Sequence, residues 1–147
     1  MRTRTIIASV VLVFTASMAL AHVTIRPRES KAGATERYTV RVPTEGQTAT
    51  TLVELEVPEG VNVVSIEGPA EGREVKKSGD RIVGIAWKVQ IPPGELREFV
   101  FVATNPAAGT EIAWKAHQHF ADGTSRDWIG AAGTREPASL TKLVSGE

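Results

Sequence analysis

Short runs of alternating apolar and polar residues, separated by glycine and proline, fill the chain from residue 22 onward. Within 36–42, for example, Tyr38, Val40 and Val42 occupy every second position, a period that is typical of a strand with one buried face. All 13 glycines and all 8 prolines lie in this part of the chain, where they mark turns between the runs. The pattern therefore predicts a chain built of strands, because no window has the apolar spacing of an amphipathic helix.

The predicted strands are short and closely spaced. About seven to nine of them, joined by turns, favour a single-domain antiparallel β-sandwich of immunoglobulin-like or cupredoxin-like type over residues 22–147. The residues expected to face its core include Val83, Ile85, Trp87, Val89, Ile112, Trp114 and Ala116. The strands are assigned to 36–42, 52–57, 61–66, 81–91, 96–103, 112–120, 124–129 and 139–144, and 130–137 is assigned to a loop.

Residues 1–21 have the organisation of a secretory signal peptide. Arg2 and Arg4 precede an apolar run over 6–16, and Ala19-Leu20-Ala21 supplies the small residues that a signal peptidase reads. The run is shorter than the roughly 20 residues that cross a bilayer. We therefore expect cleavage between Ala21 and His22, a periplasmic or secreted location, and no membrane anchor in the mature protein. An uncleaved anchor and a cut two residues earlier are the alternatives.

Composition excludes several classes of function. The chain carries 17 basic and 17 acidic residues without a long basic run, whereas a nucleic-acid-binding surface needs clustered positive charge. It has no cysteine, which excludes disulfides, zinc ribbons, iron–sulfur clusters and a thiol nucleophile, and it has no G-x-S-x-G hydrolase motif. Both methionines, Met1 and Met18, belong to the predicted signal. A transition-metal site in the mature chain must therefore use nitrogen and oxygen donors, which suit Cu(II) better than Cu(I).

His22 is the first residue after the predicted cut. An N-terminal histidine offers an α-amine and an imidazole that together can close a chelate ring on one metal ion. The amine has an unperturbed pKa near ~8, so it loses its proton to a metal more easily than a lysine does at ~10.4. The alternative is that a histidine follows the cut by chance.

Four segments, in order, carry a family resemblance. They are His22-Val-Thr followed by Pro27-Arg-Glu-Ser30, then Tyr38-Thr-Val-Arg-Val-Pro43 followed by Glu45, then Phe101-Val-Ala-Thr-Asn-Pro106, and Ala121-Asp-Gly-Thr-Ser-Arg-Asp-Trp128. Together they resemble the YcnI-like copper-binding domains over essentially the whole mature chain. The resemblance implies a β-sandwich that holds one Cu(II) per chain in a monohistidine brace, and we expect a binding protein and not an enzyme. His22 would give amine and imidazole, Glu45 a carboxylate, and Trp128 would lie against the metal.

Together with the nitrogen donors of the predicted N-terminus and the lack of sulfur ligands, the resemblance favours a role in copper buffering, trafficking or delivery to a membrane copper transporter or another periplasmic copper protein. Glu29 and Glu36 are the alternatives to Glu45 as the carboxylate ligand, and Glu29 is closer to His22 in the sequence. For Trp128, a two-residue hairpin turn at Asp122-Gly123 would pair it with His117 and place it on the outward, polar face.

His117 and His119 depart from the family pattern. Two histidines at positions i and i+2 of one strand point the same way and can chelate a metal. Three interpretations stay open: solvated surface histidines, an accessory or expanded metal site, and a two-histidine brace formed with His22. The last would make an oxidative copper enzyme of the lytic polysaccharide monooxygenase type the main alternative function. A metal-free secreted interaction domain is the third alternative.

Overall fold

The computed structural model describes residues 22–146, so the predicted signal peptide and its cleavage site lie outside the described residues. The described part contains eleven strands and no helix, and thus no helix with the length and hydropathy of a membrane span. The strands are β1 (Thr24–Arg26), β2 (Glu29–Lys31), β3 (Thr35–Pro43), β4 (Thr50–Glu56), β5 (Asn62–Ile66), β6 (Arg73–Ser78), β7 (Arg81–Ile91), β8 (Leu96–Thr104), β9 (Glu111–Phe120), β10 (Ser125–Trp128) and β11 (Ser139–Val144).

Two sheets pack face to face and form the predicted β-sandwich. One has the strand order β1-β3-β8-β5, and the other has the order β2-β11-β9-β4-β7-β6. β10 pairs with the second half of β9, on the same edge that β11 pairs with in the first half. All pairings are antiparallel except that of β2 with β11.

The core lies between the two sheets, where alternate residues of each strand meet. Tyr38, Phe101 and Trp114 form its aromatic centre, with ring centroids 4.9 to 5.5 Å apart. Of the residues predicted to face the core, most are buried, which confirms the period-two assignment: Ile85, Trp87, Ile112, Trp114 and Ala116. The other two, Val83 and Val89, are half-buried.

Three strands were absent from the sequence prediction. β1 and β2 have three residues each and are separated by Pro27, so neither shows a full alternation of apolar and polar positions. β6 has the sequence Arg-Glu-Val-Lys-Lys-Ser, mostly exposed, and forms through backbone pairing with β7 at the edge of its sheet. Charged residues are common on edge strands because they discourage further pairing, and the same charges hide such a strand from a pattern based on hydrophobicity.

The predicted register of the β9–β10 hairpin is wrong by one residue. The loop has three residues, since the Phe120 N–H donates to the Thr124 carbonyl, and Gly123, at φ 85°, closes it. Three-residue hairpins commonly place a glycine in this left-handed conformation. The extra residue pairs Trp128 with Ala116 instead of His117. Because a shift of one residue reverses the face of every side chain, Trp128 points inward and not toward the polar face.

Candidate metal centre

His22 lies at one end of the sandwich, directly before β1. In the β1–β3 pairing Thr24 is opposite Arg41, so continuing this antiparallel register brings His22 to the level of Pro43, the last residue of β3. Thr50, at the start of β4, pairs with Phe120 and approaches the same end. We call the end formed by His22, Pro43, Thr50 and Phe120 the His22 end.

The imidazole of His22 packs against the indole of Trp128. The ring centroids are 5.3 Å apart and the ring planes are tilted by 53°. Trp128 is only 2% exposed, whereas His22 is half-buried. His22 also borders a cavity of about 220 Å³, which Arg28 and residues 132–133 and 137–140 also line. The imidazole therefore has an aromatic neighbour and access from solvent.

Glu45 is exposed in the loop that follows β3, and the residue before it is firmly held. Thr44 is 2% exposed; its N–H donates to the Glu95 carbonyl at 2.9 Å and its own carbonyl accepts from the Gly94 N–H at 2.8 Å. Its hydroxyl is 2.6 Å from the hydroxyl of Thr50. These bonds hold the backbone from which the Glu45 carboxylate extends.

Gln118 links Trp128 to this loop. Its Oε1 accepts a hydrogen bond from the indole Nε1 of Trp128 at 3.1 Å, and its Nε2 donates to the carbonyl of Pro43 at 2.9 Å and to the hydroxyl of Thr50 at 2.8 Å. The side chain is 2% exposed. Sequence reasoning assigned Gln118 no role, although the signal was present: it is a polar residue in the inward-facing series that contains Trp114 and Ala116.

The two alternatives to Glu45 are placed differently. The Glu36 carboxylate accepts a hydrogen bond from the Ser30 hydroxyl at 2.8 Å, and it lies seven positions before Pro43 in β3, which is about 23 Å along a strand. Glu29 is exposed on β2, opposite Lys142 of β11. Of the three carboxylates, Glu45 is the one carried by a loop at the His22 end.

His117 and His119 point outward, away from Trp128. The ring of His117 lies between two carboxylates, with Nδ1 2.6 Å from Asp127 and Nε2 2.9 Å from Glu56. Partial burial alone would lower the pKa of His117, but the hydrogen bonds to these carboxylates and their negative charges raise it. His119 contacts Glu54 at 2.7 Å. Since β9 alternates, both histidines lie on the face opposite to Gln118, and neither faces the ring of His22.

The donor set at the His22 end decides which metal it could hold. Among residues 22–146, no group of three or more His, Cys, Asp or Glu side chains is arranged to hold a metal ion. A site at His22 therefore needs a donor beyond those side chains, and an α-amine freed by cleavage would be one. Imidazole and amine nitrogens with a carboxylate oxygen fit Cu(II), which heads the divalent affinity series.

Comparisons with known proteins agree with the family resemblance. Residues 22–143 match the family model described as "Domain of unknown function (DUF1775)". The chain is 38% identical over 141 residues to the copper-binding protein CutI of Bacillus subtilis, a match that spans 92% of this chain and 69% of that protein.

Two solved structures have a similar fold. One is an uncharacterized protein from Nocardia farcinica with an immunoglobulin-like fold, at a TM-score of 0.71 and 28% identity over 85% of this chain and 99% of that one. The other is a non-cellulosomal cohesin from Archaeoglobus fulgidus, at a TM-score of 0.51 and 12% identity over 86% of this chain and 92% of that one. The sandwich is thus immunoglobulin-like, and the chain belongs to the DUF1775 family, that of the YcnI-like domains.

Proposed function

We propose that this protein binds one Cu(II) per chain in a monohistidine brace at the His22 end. The observation that carries the proposal is the packing of the His22 imidazole against Trp128, with ring centroids 5.3 Å apart. The α-amine and imidazole of His22 and the carboxylate of Glu45 would hold the ion, with Trp128 beside it. Copper binding by a relative that is 38% identical supports the choice of metal.

In this proposal the copper ion is cargo and not a catalytic cofactor, and residues at the His22 end hold it. The α-amine and Nδ1 of His22 form a chelate, and the Glu45 carboxylate offsets part of the positive charge of the ion. The indole of Trp128 excludes water on one side. Because residues 22–147 contain neither cysteine nor methionine, reduction to the softer Cu(I) should weaken retention. We infer a role in copper buffering, trafficking or delivery to a transporter or partner, outside the cytoplasm after removal of residues 1–21.

An oxidative enzyme of the lytic polysaccharide monooxygenase type requires a second histidine beside the first. The chain has three histidines, and the side chains of His117 and His119 point away from Trp128, against which His22 packs. That arrangement favours binding over oxygen chemistry.

The test compares protein that begins at His22 with protein that carries one extra residue before it. Cu(II) affinity is measured by competition with a chelator of known affinity. The extension blocks the amine and keeps every side chain, so the proposal expects weaker binding of the extended form. Equal affinity of the two forms would rule out the brace. Failure of the His22-start protein to retain Cu(II) against a mild chelator would favour a metal-free interaction domain.

A further inference from the structure

We propose that Gln118 is a positioning residue of the copper site, which fixes the indole of Trp128 and the backbone that carries Glu45 in one rigid unit. This inference rests on the function proposed above. It is based on a continuous set of buried hydrogen bonds, in which the side-chain amide of Gln118 connects Trp128 to the backbone next to Glu45.

The amide of Gln118 can adopt only one orientation. The indole Nε1 of Trp128 is solely a donor, so it requires Oε1, and the carbonyl of Pro43 is solely an acceptor, so it requires Nε2. The observed bonds, at 3.1 Å and 2.9 Å, have this arrangement. A rotation of the amide by 180° would set donor against donor and acceptor against acceptor.

The second bond of Nε2 extends the link to the Glu45 loop. It reaches the hydroxyl of Thr50 at 2.8 Å, and that hydroxyl lies 2.6 Å from the hydroxyl of Thr44, the residue before Glu45. Gln118, Thr44 and Thr50 are each at most 2% exposed, so water does not compete for these bonds. An unpaired buried polar group is costly, so loss of these bonds would oppose a displacement of the indole relative to the loop.

This link has a consequence for the metal. Groups that orient the direct ligands of a metal commonly change its affinity about 10- to 100-fold when they are removed. The side-chain hydrogen bonds of Gln118 go to Trp128, Pro43 and Thr50 and not to a proposed ligand. Gln118 therefore sets the position of the indole and of the loop that carries the Glu45 carboxylate. We expect its loss to broaden the geometry of the Cu(II) site as well as weaken binding.

The experiment uses protein that begins at His22 and the variant Q118L, which removes the amide at similar volume. The matched control is N105L. Asn105 is an equally buried amide, 3% exposed, with side-chain bonds to Tyr38, Ser30 and Lys31, and it lies beyond β8 at the opposite end of the sandwich. Cu(II) affinity is measured by chelator competition, the ligand field by electron paramagnetic resonance, and folding by urea denaturation.

We expect Q118L to weaken Cu(II) binding about 10-fold or more and to change the parallel hyperfine splitting, while N105L leaves both at wild-type values. T50V provides a second route if Q118L does not fold, because it removes only the hydroxyl link to the loop; T50S should restore wild-type behaviour. Wild-type affinity and spectra in Q118L would overturn the inference. If Q118L does not fold, wild-type affinity and spectra in T50V would overturn the link through Thr50 to the Glu45 loop. The proposed brace has its own test: it fails if the N-terminal extension leaves Cu(II) binding unchanged. That result is distinguishable from a failure of the inference about Gln118, which is tested by Q118L and T50V.

Discussion

The indole of Trp128 faces the imidazole of His22 on one side and donates its N–H to Gln118 on another, at 3.1 Å. The indole thus contacts both His22, which cleavage would make the N-terminal residue, and Gln118, whose amide is hydrogen-bonded to Pro43 and Thr50 beside the Glu45 loop. Trp128 is the last residue of the four-residue strand β10, which pairs with β9. The hairpin register and the hydrogen bond to Gln118 both fix its position.

Replacing Trp128 by phenylalanine tests that hydrogen bond. The substitution W128F keeps an aromatic ring beside His22 but leaves the Gln118 carbonyl oxygen, which is buried, without its donor. We expect copper-free W128F to lose about 2 kcal/mol of unfolding free energy, measured by urea denaturation. An unchanged free energy would mean that the amide finds another partner.

Substituting the three candidate carboxylates separately tests the choice of ligand. We expect E45Q to weaken Cu(II) binding at least about 10-fold, the size that even indirect partners reach, because it removes a negatively charged donor. E29Q and E36Q serve as matched controls and should retain wild-type affinity. Chelator competition on all three variants gives the comparison, and a larger loss in E29Q than in E45Q would identify Glu29 as the ligand.

His117 should make stability depend on pH. Partial burial lowers its pKa, but the hydrogen bonds to Asp127 and Glu56 and their charges outweigh burial and raise the pKa in the folded state. The folded protein therefore holds the proton more tightly than the unfolded chain does. The resulting stabilisation, about 1 kcal/mol for partly exposed groups, is fully present below the unfolded pKa near ~6.5 and is lost as the pH rises through the folded pKa. The difference in unfolding free energy between wild type and H117Q should therefore be larger at pH 6 than at pH 9.

The variant D127N provides the control for this pH dependence. It removes one of the two charges that hold the protonated ring, so the difference between the two pH values should shrink when H117Q is made in a D127N background. A wild-type stability profile that is parallel to that of H117Q across the range would contradict the assignment.

Gly123 closes the loop that sets the register of Trp128. Its φ of 85° lies in the left-handed region, which costs residues with a Cβ about 1–2 kcal/mol. We expect G123A to lose about 1 kcal/mol of unfolding free energy and G123N to lose less, because asparagine tolerates this conformation. G84A is the control: a Cβ there meets atoms at 3.5 and 3.6 Å, an ordinary contact. Urea denaturation of the three variants makes the comparison.

The long strands could be read from the sequence because burial on one face imposes an alternation that needs no knowledge of partners. Arg81–Ile91 and Ser139–Val144 have the predicted bounds. β6 could not be predicted because its backbone hydrogen bonds to β7 stabilise it, and these bonds leave no pattern of apolar and polar side chains in the sequence.

The site was predictable only in part. Family motifs named His22 and Trp128, and the two rings do meet. The predicted outward face of Trp128 was wrong because the loop has three residues, the last of which, Gly123, adopts a left-handed conformation. No role could be assigned to Gln118 from the sequence, because the role depends on its hydrogen bonds to Pro43 and Thr50. These residues are far away in the sequence and adjacent only after folding.

The sandwich closes through contacts between its first and last segments, such as the bond from the Ile25 N–H to the Ser139 hydroxyl, 114 positions apart. Chains dominated by such distant contacts fold slowly. During that interval a cleaved chain would present its terminal histidine before Trp128 and the Glu45 loop arrive. The complete set of proposed ligands would therefore come together only after the sandwich has closed.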